Sequence, residues 1–382
     1  MNINREEFLK DVEKLVNVDS GSFDMDGLKE VAAVITDMYK EAGLYASCEL
    51  RGEGKRPFIT ATTKDPATFE GKEKPVDIMF FGHFDTVFPK GTVAERPFST
   101  DGEKAYGPGA ADMKAGIVMG LYLTKALREK YPDISIALVN NGDEEISSID
   151  SVDSLVEFSK KARYAFDMEP GRISGNFVKC RKGGGEYFVK CYGKASHAGN
   201  APQKGASAIR EAGRCITEMM ALNDYEAGIT VNVGLIKGGT ASNTIADYCE
   251  MILDVRFWTD EQRQQVERDL QAIADSPVTE GVKVEFTFIS GVPPMLEIPE
   301  TEKMVKIMEE EAAKLDLHFG FEKSGGMSDA SFVSKAGVPV IDACGPCGDF
   351  LHSEKEYFVL DTIEERFALL FNTAERLLEE NK

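Results

Sequence analysis

Apolar positions recur with helical spacing at the start of the chain, at Phe8, Leu9, Val12, Leu15 and Val16 and again at Leu28, Val31, Ala32, Ile35 and Met38. Short apolar runs bounded by turn residues follow at Phe58–Thr62, Asp77–Gly82, Ile134–Asn140 and Tyr164–Met168, with amphipathic stretches at Lys114–Arg128 and Ser151–Lys161 among them. Such runs alternating with helices predict an α/β fold with a mostly parallel sheet covered on both faces. After Glu169 the order changes. Strands are predicted at Glu186–Gly193, Ile229–Ile236, Tyr248–Phe257 and Val282–Ile289, with helices at Ala206–Leu222 and Asp260–Ala274. This is the β-α-β-β-α-β order of a split, ferredoxin-like α+β unit. Arg181-Lys-Gly-Gly-Gly185 and Gly291-Val-Pro-Pro294 flank it and read as linkers. Helices at Thr301–Lys314, Ser328–Lys335 and Thr362–Glu380, with a strand at Val338–Ala343, return to the α/β pattern. The expected architecture is one α/β domain of residues 1–181 and 291–382, interrupted by an inserted α+β domain over 182–290.

Charge narrows the functional classes. Forty-four Lys and Arg against sixty-five Asp and Glu leave a net charge of −21 over 382 residues, which excludes a nucleic-acid binder that relies on bulk positive charge. No window approaches the roughly 18 uninterrupted apolar residues of a membrane helix; the best, Ala115–Leu123, is far shorter. The opening Met1–Lys10 is charged and amphipathic and does not read as a secretory signal. Seven cysteines scattered from Cys48 to Cys347 make no disulfide framework, so a reducing, cytoplasmic setting is expected.

Five short segments place metal-type ligands at predicted strand ends, where open α/β sheets keep their sites. They are His83-Phe-Asp85, Gly107-Pro-Gly-Ala-Ala-Asp112-Met-Lys, Asp143-Glu144-Glu145, Asp167-Met-Glu169-Pro170 and Gly348-Asp-Phe-Leu-His352. Singly, each has an ordinary explanation: Asp112 as a helix N-cap, a histidine as a satisfied structural residue, three acids as a solvated loop. Two of only four histidines and four acid clusters all falling at strand ends is harder to explain that way. Imidazoles mixed with carboxylates suit Zn²⁺, and less well Mn²⁺ or Co²⁺, with enough groups for two ions sharing one carboxylate.

These segments, together with Gly193-Lys-Ala-Ser-His197-Ala-Gly and Gly325-Gly-Met-Ser-Asp329-Ala, resemble in order and over nearly the whole chain the M20 family of zinc-dependent exopeptidases and deacylases. Within it the nearest likeness is to the glutamate carboxypeptidases. The resemblance implies that His83 and Glu169 hold one zinc, that Glu145 and His352 hold the other, and that Asp112 bridges them. It implies that Asp85 orients His83, and that Glu144 is the general base for a metal-bridging water that attacks the amide carbonyl. The inserted domain would be a lid that forms a homodimer, with His197 stabilising the oxyanion in the partner's site. Asn243 and Arg256 would hold the substrate's terminal carboxylate, the arginine through its planar fork. Gly326, with Gly325, would line the substrate pocket, and Arg181 would sit at a hinge. An internal salt bridge is the ordinary alternative for Arg256.

The resulting expectation is a di-zinc metallo-exopeptidase that releases a C-terminal amino acid, glutamate first among the choices, from a small peptide or N-acyl amino acid. The alternatives within the same chemistry are N-acyl-amino-acid deacylation, in the manner of acetylornithine deacetylases and succinyl-diaminopimelate desuccinylases, and dipeptide cleavage. The chain departs from the family pattern at Ala115, after Asp112-Met-Lys, and at Cys344-Gly-Pro-Cys347 before His352. That pair is also the spelling of a redox dithiol, which should open a helix; the following Gly348-Asp-Phe-Leu-His352 has no helical period. A thiol-redox protein and a non-catalytic metal-dependent binding module are the readings from other classes. The module would be expected to lack a base such as Glu144.

Overall fold

A computed structural model describes residues 3–380; the first two residues of the charged opening stretch lie outside that range. The chain divides into two compact units. One comprises Met1–Cys180, Glu297–Lys323 and Ser328–Lys382, the other Arg181–Leu296 and Ser324–Met327.

The large unit is built on a six-stranded sheet in the order Tyr45–Arg51, Arg56–Thr62, Ile136–Asn141, Val76–His83, Ala162–Asp167, Val340–Ile341. The last four strands run parallel, and the first two join them antiparallel. The register places His83 opposite Asn141 and Phe81 opposite Asp167, so three parallel strands end together and their outgoing loops meet at one edge. Both opening helices form as the periodicity predicts. Arg5–Val16 buries Phe8, Val12, Leu15 and Val16, and Met25–Glu41 buries Leu28, Val31, Ala32, Ile35 and Met38. Each starts at a capping side chain, Asn4 accepting from the Glu7 N–H and Asp24 from the Gly27 N–H. These apolar stripes join Ile78, Phe80, Leu138 and Phe166 in one core. Each fully buried Leu, Ile or Phe contributes about 1.5–3 kcal/mol.

The small unit has an antiparallel sheet in the order Thr230–Gly238, Tyr248–Phe257, Gly183–Tyr192, Lys283–Val292. The helices Ala208–Met220 and Asp260–Asp275 complete the expected β-α-β-β-α-β order. Alternate residues Tyr187, Val189 and Cys191 of one strand and Cys249, Met251, Leu253, Val255 and Phe257 of its neighbour turn inward, where Cys215, Met219, Val266 and Leu270 of the helices meet them.

Three local expectations are corrected. Gly183–Gly185 open the ten-residue strand Gly183–Tyr192 instead of forming a linker. They are glycines because of close approach: a Cβ on Gly183 would lie 2.7 Å from the Pro294 nitrogen and 2.5 Å from the Phe257 ring. The flanking Gly291 and Val292 likewise lie in strand Lys283–Val292. The edge strand Tyr45–Arg51 is mostly exposed and shows no alternation, and Val338–Ala343 shortens to Val340–Ile341.

Candidate active site

His83 ends its strand almost wholly buried, 1% exposed. Its Nε2 lies 3.1 Å from Asp112 Oδ1 and 3.5 Å from Glu169 Oε1. Its Nδ1 faces Asp85, 3.0 Å from the carbonyl oxygen and 3.4 Å from Oδ1. On the far side of Asp112, His352 Nε2 lies 3.2 Å from Asp112 Oδ2 and 3.2 Å from Glu145 Oε2. Asp112 thus turns one oxygen to each imidazole. The donor atoms form two groups, His83–Asp112–Glu169 and Asp112–Glu145–His352, each within 4.8 Å. Carboxylates gathered this closely repel one another unless cations lie among them, and mixed nitrogen and oxygen donors around a shared carboxylate fit a pair of divalent ions such as zinc.

The protonation preferences follow from this crowding. Burial lowers the His83 pKa, but the carboxylates of Asp112, Asp85 and Glu169 outweigh it and carry the imidazole well above its ordinary value. His352, half-exposed, is raised to about 10 by Asp112 and Glu145. Burial pushes Asp112 up, yet His352 and His83 together hold it well below the usual carboxylate range. Glu169 is raised by burial and by Asp112.

Local devices hold several of these donor residues. Asp112 is not a helix cap: the helix Ala115–Lys130 starts three residues later, and Asp112 has an extended backbone inside the turn Ala110–Lys114, with a cis peptide to Met113. That turn wraps the Glu356 carboxylate, which accepts from the N–H groups of Gly109, Ala111 and Asp112 at 3.3, 2.9 and 3.1 Å. Gly107 and Gly109 supply the positive φ values, 146° and 72°, that the turn needs. The three consecutive acids diverge. Asp143, fully buried, accepts from the Asp150 and Ser151 N–H groups and locks the turn, leaving Glu144 and Glu145 to face the cluster. Asp85 links both sides: its carboxylate accepts from the Ser22 hydroxyl at 2.7 Å and from the Glu144 and Glu145 N–H groups at 3.1 and 3.2 Å. Ser147, Ser148, Phe350 and His352 all have left-handed backbones, each costing about 1–3 kcal/mol and concentrated beside the two donor groups.

Glu144 belongs to neither donor group. Its Oε2 lies 3.9 Å from His83 Nε2. Burial and the carboxylates of Glu169, Asp329 and Glu145 push it well above its ordinary value, against the pull of His83. Behind it, buried Asp329 accepts from the Ser148 hydroxyl at 2.5 Å and from Asn141 at 2.7 Å, and burial raises its carboxyl to about 7. Sequence reasoning missed this supporting layer. Asp329 stands in a quoted motif without a role, and Glu356 sits in a charged run that looks like ordinary surface.

The remaining expected residues lie in the small unit. His197 pairs with Thr244 in a short bridge, and the Ala198 N–H donates to the Asn243 carbonyl at 2.9 Å, so His197 and Asn243 are neighbours. The N–H groups of Gly199 and Asn200 donate to His197 Nδ1 at 3.1 Å, which leaves the ring proton on Nε2. Arg256 engages the Asp254 carboxylate through Nε and Nη2, at 2.9 and 2.7 Å, as the ordinary alternative anticipated. The Gly326 carbonyl and the Ser324 hydroxyl each accept from Arg181 at 3.3 Å. Cys344 is fully buried and its thiol is pushed up by burial, the reverse of what a reactive dithiol needs. The segment 345–361 that follows it forms turns and short strands, with no helix.

Fold and site together define an α/β protein with two cation-type donor groups sharing an aspartate at the carboxyl edge of its sheet. Residues 79–376 match peptidase family M20/M25/M40. The chain is 31% identical to carboxypeptidase G2 of Pseudomonas sp. strain RS-16, over 94% of this chain and 86% of that one. It is 26% identical to the succinyl-diaminopimelate desuccinylase of Thioalkalivibrio sulfidiphilus, over 81% and 86% of the two chains. Its fold is that of an M20 family metallo-carboxypeptidase from Sulfolobus solfataricus, with a TM-score of 0.73 at 17% identity over 97% and 99% of the two chains. The chain belongs to peptidase family M20 and is a hydrolase of that family.

Proposed function

We infer that this hydrolase cleaves an amide whose amine side is an amino acid with a free carboxylate, glutamate first, using two zinc ions held by His83 and Glu169, by Glu145 and His352, and by Asp112 between them. The observation that carries the reading is the pair of donor groups sharing Asp112 with Glu144 beside them and outside both. Two bound ions would polarise the scissile carbonyl and acidify water at the site. Glu144 takes the proton from the attacking water and returns it to the leaving amine, work open to it because its carboxylate is not a ligand. Asp85, facing Nδ1, fixes the His83 tautomer and keeps Nε2 as the donor atom. His197, with its proton on Nε2, is a ready donor to an oxyanion. Arg256 would share its fork between Asp254 and the substrate carboxylate, with Asn243 as its partner in that task.

The test is turnover of N-benzoyl-glutamate, N-acetyl-ornithine and N-succinyl-diaminopimelate by zinc-loaded protein, with EDTA controls. Glutamate release alone is expected. Glu144→Gln should lower kcat by about 10²–10⁴ at unchanged zinc content, and His197→Ala by about 10²–10³. Full activity of Glu144→Gln would overturn the mechanism, and exclusive turnover of an acyl-ornithine would overturn the glutamate assignment. A homodimer through the small unit is part of the same reading. Its edge strand Thr230–Gly238 exposes Leu235 and Ile236, 64% and 55% exposed. Sedimentation as a dimer that Leu235→Lys converts to monomer is the expected outcome.

A further inference from the structure

A cleft of about 490 Å³ in the large unit opens directly beside Glu145 and is walled by Ser22, Phe23, Thr86, Val87, Phe88 and Ile146. Its two loops are stitched together before any ligand arrives. The Ser22 N–H donates to the Thr86 carbonyl at 3.0 Å, the Thr86 N–H to the Ser20 carbonyl at 2.9 Å, and Asp19 accepts from the N–H groups of Gly91 and Val93. Gly21 permits this, since a Cβ there would stand 2.3 Å from the Phe88 carbonyl oxygen. The walls nevertheless hold apolar side chains out in the open: Phe23 is 84% exposed and Val87 44%. Apolar groups on a pinned scaffold beside a reactive centre point to a ligand surface.

The charges say which half of a substrate it takes. The lining has one cation, Lys90, whose ammonium is 3.2 Å from the Asp24 carboxylate, and one further charge, Glu145, committed to His352 and the cluster. An incoming carboxylate would find no free cationic side chain in this lining, because Lys90 is engaged by Asp24 and Glu145 is turned to the cluster. We propose that this cleft is the acyl subsite and that it selects an uncharged, apolar acyl group against an acyl group bearing its own carboxylate. The inference rests on the amide-cleaving reading above, and it concerns the half of the substrate that reading leaves open.

The experiment compares N-acetyl-, N-hexanoyl- and N-succinyl-glutamate, by kcat/KM on the zinc-loaded protein and by calorimetric Kd on zinc-loaded Glu144→Gln. Each methylene buried is worth about fourfold, so hexanoyl should exceed both acetyl and succinyl by at least about tenfold in both readouts. Phe23→Ala should erase most of the hexanoyl advantage, and Val87→Lys should raise the succinyl value relative to hexanoyl by about tenfold. Binding that follows this order without turnover would fail the glutamate-release reading and keep the subsite. Equal or better succinyl binding by the unsubstituted cleft, or a hexanoyl advantage that survives Phe23→Ala, would overturn the subsite whatever the turnover.

Discussion

Glu356 shows how much of a site can depend on a residue outside both donor groups. Its carboxylate collects three backbone N–H groups of the turn that carries Asp112. Burial and the nearby Asp112 raise its carboxyl to about 7, with the three N–H groups opposing. Removing the acceptor orphans buried donors, each costing about 1–3 kcal/mol. Glu356→Ala is therefore expected to lower Tm and to weaken zinc binding by about 10–100-fold, the usual range for outer-shell partners, as read by calorimetry and competition with a chelator. Glu356→Gln, which keeps one oxygen acceptor, should recover part of both. Zinc affinity unaltered in the alanine variant would sink the claim that this turn positions Asp112.

At the level of elements, the small unit contains a comparable device unrelated to the site. Glu211, on the helix Ala208–Met220 and 0% exposed, accepts from the N–H groups of Val278 and Thr279 at 3.2 and 2.8 Å and from Arg214 at 2.7 Å. Burial alone would raise its carboxyl, but these donors prevail and hold it below the ordinary range. A carboxyl depressed in the folded state stabilises the protein above its unfolded pKa of about 4.3, and that stabilisation is lost as pH falls through the folded value. Glu211→Gln should thus destabilise the protein by roughly 1–3 kcal/mol at pH 7. The gap to the parent should close on acidification below about pH 4. Denaturant titrations at pH 7 and pH 3.5 would show it, and a pH-independent gap would count against the ionised form as the stabilising one.

For the molecule as a whole, like charges gathered at the sheet edge make stability depend on any cation that binds among them. With no ions, Asp112, Glu144, Glu145 and Glu169 crowd two imidazoles in a largely buried space. A ligand that binds only the folded state at 100 times its Kd adds about 2.7 kcal/mol. Prolonged EDTA treatment should therefore lower Tm by several degrees, and Zn²⁺ should restore it, with Mn²⁺ or Co²⁺ doing so less fully if the site prefers zinc. A Tm indifferent to chelation and to zinc would contradict a metal-holding role for the cluster.

Periodicity was enough for the helices Arg5–Val16 and Met25–Glu41, whose one buried face leaves its spacing in the order of residues, and unbroken apolar runs were enough for the central parallel strands, buried on both faces. It was not enough for Tyr45–Arg51, a mostly exposed edge strand, or for Gly183 and Gly184, whose reason is a close contact with residues more than seventy positions away. The sequence by itself determined the acids and histidines at the strand ends and, through their order, the family. Only the tertiary structure decided that Asp143 turns inward while Glu144 and Glu145 face the cluster, and that Glu356 and Asp329 support it. It also set an apolar-walled cleft beside Glu145, with the one lysine of its lining paired to Asp24. The physical reason is range: side-chain period and turn chemistry are written locally, whereas a donor's acceptor, a carboxylate's neighbours and a cleft's walls come from segments that meet only when the chain has folded.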